Sequence, residues 1–120
     1  MIKGLGVDVI EVKRIRKATL RWGDRFLKRV FTANELTYCQ KKSNVYQHLA
    51  VRFAAKEAVL KAFGIGFGKI FLKEIEVIKD QQGKPEINLL GKAKKMSSQG
   101  ELLITLSHCQ EYALACAIYT

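Results

Sequence analysis

No apolar run in this 120-residue chain approaches the ~18 residues a membrane-spanning helix needs, so none is expected to cross a bilayer. The opening Met1-Ile2-Lys3-Gly4 lacks the layout of a secretory signal. There are three cysteines, Cys39, Cys109 and Cys116, an odd count without close metal-type spacing, and they are read as packing residues in a reduced cytosolic setting. Neither His48 nor His108 has a second ligand at zinc spacing. Repeats, low-complexity tracts and linkers are missing, so one domain over residues 1–120 is expected. Acidic residues are few, 11 against 21 lysines and arginines, for a net charge of +10. That imbalance suits a polyanion, whether nucleic acid, acidic membrane or acidic protein, and does not choose among them.

What is present is 48% hydrophobic residues, enough for a folded globule. Ile2 to Val9 reads as a strand with Leu5, Val7 and Val9 on one face and Gly4, Gly6 and Asp8 on the other. The glycine face is expected to leave room for something large to approach Asp8. A helical segment follows, with Ile15, Ala18, Trp22 and Phe26 on its apolar side and Arg14, Lys17, Arg21, Arg25 and Lys28 as a basic stripe; Gly23 kinks or splits it. Thr32-Ala33-Asn34-Glu35 is a capping box opening a short helix to about Gln40. A long helix is predicted from Ser43 to Phe63, with Val45, Leu49, Phe53, Leu60 and Phe63 as one apolar stripe. Strands at Lys73–Lys79 and Glu86–Leu90 flank a turn at Asp80–Pro85, and Gly91 to Gly100 is a short helix or a loop. A hairpin of Leu102–Ser107 and Tyr112–Tyr119 closes the chain. Helices early and antiparallel strands late predict an α+β fold, an antiparallel sheet packed on the long helix.

That helix carries Lys56 and Glu57 where its periodicity asks for core. A surface Glu57–Lys61 pair at i,i+4 contributes only ~0.3–0.5 kcal/mol, whereas an unpaired buried charge costs several. Something outside the helix is therefore expected to meet these charges. Asp8 and Glu57 are candidate ligands for Mg²⁺, which takes one or two carboxylates, keeps waters and accepts phosphate oxygens. Arg52, Lys56 and Lys61 would add positive charge to the same phosphates. Each reading has a plainer rival. Asp8-Val9-Ile10-Glu11 is itself a capping box, Glu57 fits a surface ion pair, and His108 before a hairpin turn fits a structural role or a phosphate contact. Gly64-Ile65-Gly66-Phe67-Gly68 follows a helix, which favours a C-cap over a phosphate cradle.

Taken in order, Gly4-Leu5-Gly6-Val7-Asp8 with Glu11 and Arg14-Ile15, Arg29-Val30-Phe31-Thr32 with Glu35, Arg52-Phe53-Ala54-Ala55-Lys56-Glu57-Ala58 with Lys61-Ala62-Phe63-Gly64, Gly83-Lys84-Pro85, and Ser107-His108 with Tyr112-Ala113 resemble the holo-[acyl-carrier-protein] synthases. These are small single-domain phosphopantetheinyl transferases. The resemblance implies their fold and the transfer of 4′-phosphopantetheine from coenzyme A to a serine of apo acyl carrier protein, in fatty acid biosynthesis in the cytoplasm. It implies Mg²⁺ on Asp8 and Glu57, and catalytic roles for Glu57, Lys61 and His108. It implies coenzyme contacts from Arg52, Lys56, Lys61, Gly64, Lys84, Pro85 and His108, and carrier docking on Arg14, Arg21, Arg25 and Lys28. A homotrimer with sites shared between subunits is implied as well. Many members carry Gly-Thr-Gly where this chain has Gly64-Ile65-Gly66, so any hydroxyl contact there is missing. The rival classes are a nucleic-acid-binding module, for which the chain lacks a recognition motif, and an inactive carrier-binding subunit.

Overall fold

The computed structural model describes every residue except Phe67 and Ser98. Strand β1 (Gly4–Glu11) leads into α1 (Val12–Trp22), α2 (Asp24–Val30), α3 (Ala33–Gln40) and the long α4 (Val45–Phe63). After a short 3₁₀ turn come β2 (Ile75–Lys79), β3 (Pro85–Leu89), α5 (Gly91–Met96), β4 (Leu102–His108) and β5 (Tyr112–Tyr119). The predicted α+β layout holds, with helices early and antiparallel strands late. Phe67, the fourth residue of the five-residue Gly64–Gly68 segment, lies outside the described residues.

Strands β1, β5 and β4 form one antiparallel sheet in that order, and β2 and β3 form a separate hairpin. Asp8 stands opposite Ala115, which stands opposite Leu106. Helix α4 lies across one face of this sheet, and small residues allow the close approach. Ala113, Ala115 and Ala117 of β5 are fully buried, as are Ala54, Ala55 and Ala58 of α4. A Cβ on Gly6 would fall 1.9 Å from the Ala58 carbonyl oxygen, and one on Gly4 would fall 1.7 Å from that of Ala62. The space beside the glycines is thus taken by α4 itself rather than left open toward Asp8. The expected single stripe on α4 is also only part of its buried surface. Leu49 and Leu60 pack away from the sheet, the alanines pack onto it, and the helix is covered on most sides.

Gly23, at φ 55°, ends α1 and begins α2, so the basic segment is two helices rather than one. Trp22, expected on the apolar side, is the last residue of α1 and is 49% exposed because the chain turns away there. Thr32 and Glu35 form the predicted capping box at the start of α3. Glu11, not Asp8, is the N-cap of α1 and makes no side-chain cap bond, which leaves the Asp8 carboxylate free of that duty. Cys39 is buried, but Cys109 is exposed in the β4–β5 turn and is not a packing residue. The outer face of the sheet is apolar and uncovered, with Leu5, Val7, Val9, Leu103 and Leu114 all exposed.

Candidate active site

On the β1 side of α4, the pleat turns Asp8 toward the helix and the helical repeat brings Glu57 and Lys61 beside it. The Lys61 ammonium donates to the Val7 carbonyl at 2.9 Å and to Asp8 Oδ1 at 3.2 Å. Lys61 therefore pairs with Asp8, not with Glu57. Glu57 takes part in no ion pair among the described residues. Burial raises its carboxyl above the usual carboxylate range, the Asp8 charge raises it further, and Lys61 opposes both. Two like charges thus share one half-exposed lysine, a local shortage of positive charge. Among the described residues no group of three or more His, Cys, Asp or Glu side chains is placed to hold a metal ion by itself. A cation here would have two hard oxygen donors and open positions for water or phosphate, a donor set that fits Mg²⁺.

On the opposite side of α4, His48, Arg52 and Lys79 meet His108 and Pro85 around a cavity of about 190 Å³. His48 and Glu57 are separated by about two and a half helical turns and so leave α4 on opposite sides. The His48 and His108 rings lie 5.0 Å apart, centroid to centroid. His108 Nδ1 is 2.9 Å from Gln47 Oε1, so the ring donates from that nitrogen. Arg52 is buried, donates from Nη1 to the His48 carbonyl at 3.2 Å, and has an Nε with no partner. His48 is pulled down to about 4, first by burial and then by the charges of Arg52, His108, Lys42 and Lys79.

The proposed site residues therefore fall into two groups on opposite flanks. Asp8, Glu57 and Lys61 form one; Arg52, His108 and Pro85 belong to the other, with Lys84 on the adjoining groove between β3 and β4. Lys56 belongs to neither, contrary to the expectation that it meets phosphate. Its ammonium is fully buried and donates to Glu35 Oε1 at 2.7 Å, to the Ile75 carbonyl at 2.7 Å and to the Leu72 carbonyl at 3.1 Å. All three protons are committed to the protein, so the charge is met by an internal carboxylate. The Gly64 N–H closes the helix onto Lys61, and no dipole there favours an anion. Arg14, Arg21, Arg25 and Lys28 are exposed along α1 and α2, with Arg21 stacked 4.8 Å from the Trp22 ring centroid and Lys28 3.7 Å from Asp24. Sequence reasoning missed His48, Lys79 and Gln47 as members of the second group. The placement of His48 one turn before Arg52 was the available signal.

The family model described as the 4′-phosphopantetheinyl transferase superfamily matches residues 4–117. A curated holo-[acyl-carrier-protein] synthase from Ruminiclostridium cellulolyticum is 50% identical over 119 residues, covering 95% of this chain and 89% of that protein. The crystal structure of holo-[acyl-carrier-protein] synthase from Neisseria meningitidis superposes with a TM-score of 0.88 at 31% identity, covering 100% of this chain and 99% of that one. A holo-(acyl-carrier-protein) synthase from Bacillus anthracis, solved in complex with CoA (3′,5′-ADP), gives a TM-score of 0.82 at 35% identity, covering 99% and 96%.

Proposed function

The chain belongs to the 4′-phosphopantetheinyl transferase superfamily, among its holo-[acyl-carrier-protein] synthases, and from that premise we propose that residues 1–120 act as one domain that transfers 4′-phosphopantetheine from coenzyme A to a serine of apo acyl carrier protein. Adenosine 3′,5′-bisphosphate is the leaving group. The observation that carries this reading is the meeting of Asp8 and Glu57, distant in sequence, as like charges sharing a single lysine. Asp8 and Glu57 would hold Mg²⁺, and that ion, when bound, neutralises the diphosphate oxygens and the charge growing on the leaving bisphosphate.

The remaining work falls to the chain's own residues, because phosphoryl-type transfer needs positioning and charge more than covalent help. Lys61 holds Asp8 in place, bonds the Val7 carbonyl and presents its one remaining proton to the diphosphate. The proton of the attacking serine hydroxyl would pass to Glu57 or to a water beside it. On the other flank, the cations Arg52 and Lys79 that line the cavity beside His108 suit an anionic end of the coenzyme, with Lys84 and Pro85 along the groove beside it.

These two halves face away from each other within one chain, so a second copy is required to bring them together. The exposed apolar sheet face of Leu5, Val7, Val9, Leu103 and Leu114 supports such self-association, and we read the assembly as a homotrimer with each site between neighbours. The carrier protein, acidic in the family, docks on Arg14, Arg21, Arg25 and Lys28. Beside that face lies an apolar cavity of about 540 Å³ lined by Phe26, Arg29, Phe53 and Leu60, and Glu57 stands between Phe53 and Leu60 on the same stripe of α4. The work belongs to fatty acid biosynthesis in the cytoplasm; no described helix is long and apolar enough to cross a membrane. Incubation with coenzyme A, Mg²⁺ and apo carrier protein, followed by mass spectrometry of the carrier, is the test. A carrier heavier by one phosphopantetheine is expected, and an unmodified carrier would refute the transferase.

A further inference from the structure

Tyr38 of α3 is ringed by cations. The Arg52 guanidinium lies 4.4 Å from its ring centroid, the Lys42 ammonium 4.9 Å and the Lys79 ammonium 5.0 Å. The edge of the His48 ring meets it at 5.9 Å. None of these cations takes part in the ion pairs found among the described residues. Like charges gathered this closely repel, and the negative face of the Tyr38 ring offsets that repulsion together with the His48 carbonyl that accepts from Arg52. Arg52 and Lys79 also line the cavity between His48 and His108. The field is strong enough to act on Tyr38 itself. Burial raises its hydroxyl, but the Lys79 hydrogen bond and the charges of Lys79, Lys42 and Arg52 outweigh that, and the net shift is downward.

We propose that Tyr38 is a positioning residue for anion selection, its ring gathering Arg52, Lys42 and Lys79 so that this flank prefers an adenosine carrying both 3′- and 5′-phosphates over one carrying a 5′-phosphate alone. The inference rests on the transferase reading for the identity of its ligand, but binding alone decides it. A plain packing role for Tyr38 would give a different pattern: its loss would lower stability without changing which nucleotide is preferred.

Calorimetry on the assembled protein compares adenosine 3′,5′-bisphosphate with adenosine 5′-monophosphate. The unaltered protein is expected to bind the bisphosphate more tightly. Tyr38→Leu should lower that preference about tenfold, and Tyr38→Phe, which keeps the ring, should retain most of it. Equal weakening of both nucleotides in Tyr38→Leu, or an unchanged preference, would overturn the proposal. If Tyr38→Leu does not fold, the Tyr38 ring resonances of the unaltered protein decide. A shift with bisphosphate and none with monophosphate supports the proposal, and no difference between the two overturns it. An inactive transferase that still shows the Tyr38-dependent preference would refute the proposed reaction and leave this inference standing.

Discussion

Lys56 and Lys61 sit little more than one turn apart on α4, with the same side chain in opposite surroundings. The Lys56 ammonium is fully buried against Glu35 and two carbonyls, and burial pulls it below its usual value with Glu35 opposing. The Lys61 side chain is 55% exposed and bridges Asp8 and the strand, next to an unpaired Glu57. Around Lys56 the protein supplies every partner. Around Lys61 it leaves a carboxylate without one. The lesson is that a charged residue on a core stripe marks a function only when its partners within the fold are incomplete.

The comparison breaks most sharply under substitution. Asp8→Ala or Glu57→Ala is expected to lower transfer to apo carrier protein by about a thousandfold or more while the folded state persists. Glu57→Ala should even stabilise the chain slightly, since it removes repulsion from Asp8. Parallel activity assays and thermal melts check both. Lys56→Ala should behave the other way, costing about 3–5 kcal/mol in denaturant unfolding because Glu35 is left charged and buried.

Why one lysine was legible from sequence and the other was not follows from distance along the chain. The Thr32–Glu35 box, the reach of α4, the Gly23 break and the Asp80–Pro85 turn are written in near neighbours, and all appear where expected. The partner of Lys56 is not, because Glu35 already had a local role as a cap and its second oxygen accepts from the Val77 N–H across the fold. The Gly4–Gly6 face suggests room toward Asp8, yet α4 fills it, since a glycine signals space without naming its occupant. The Asp8–Glu57 pairing was inferred through resemblance and chemistry, whereas the separation of His108 from Glu57 needed the helix to be seen lying between them.

Smaller effects refine the same contrast. Gly6→Ala forces a methyl against the Ala58 carbonyl and should cost about 1–3 kcal/mol or more in unfolding experiments, by pushing α4 off the sheet. On the basic flank, the unfolded state takes up the His48 proton near 6.5 and the folded state only near 4. Below 6.5 the unfolded chain therefore binds more protons, so stability falls as pH drops from 6.5 toward 4. His48→Gln should flatten that part of a melting-temperature profile. The weakest effect belongs to the surface. Arg14→Ala with Arg21→Ala should slow carrier association and reduce its salt dependence, read by stopped-flow at two ionic strengths.

The division of one active site between opposite flanks of α4 is tested most directly by complementation. Glu57→Ala and His108→Ala chains, each expected to be inactive alone, are unfolded, mixed in equal amounts and refolded, and transfer to apo carrier protein is measured by mass spectrometry. If each site takes Glu57 from one copy and His108 from its neighbour, activity returns to about a quarter of the unaltered level. A mixture that assembles yet stays inactive would mean that both residues must come from the same chain, and the account would be wrong.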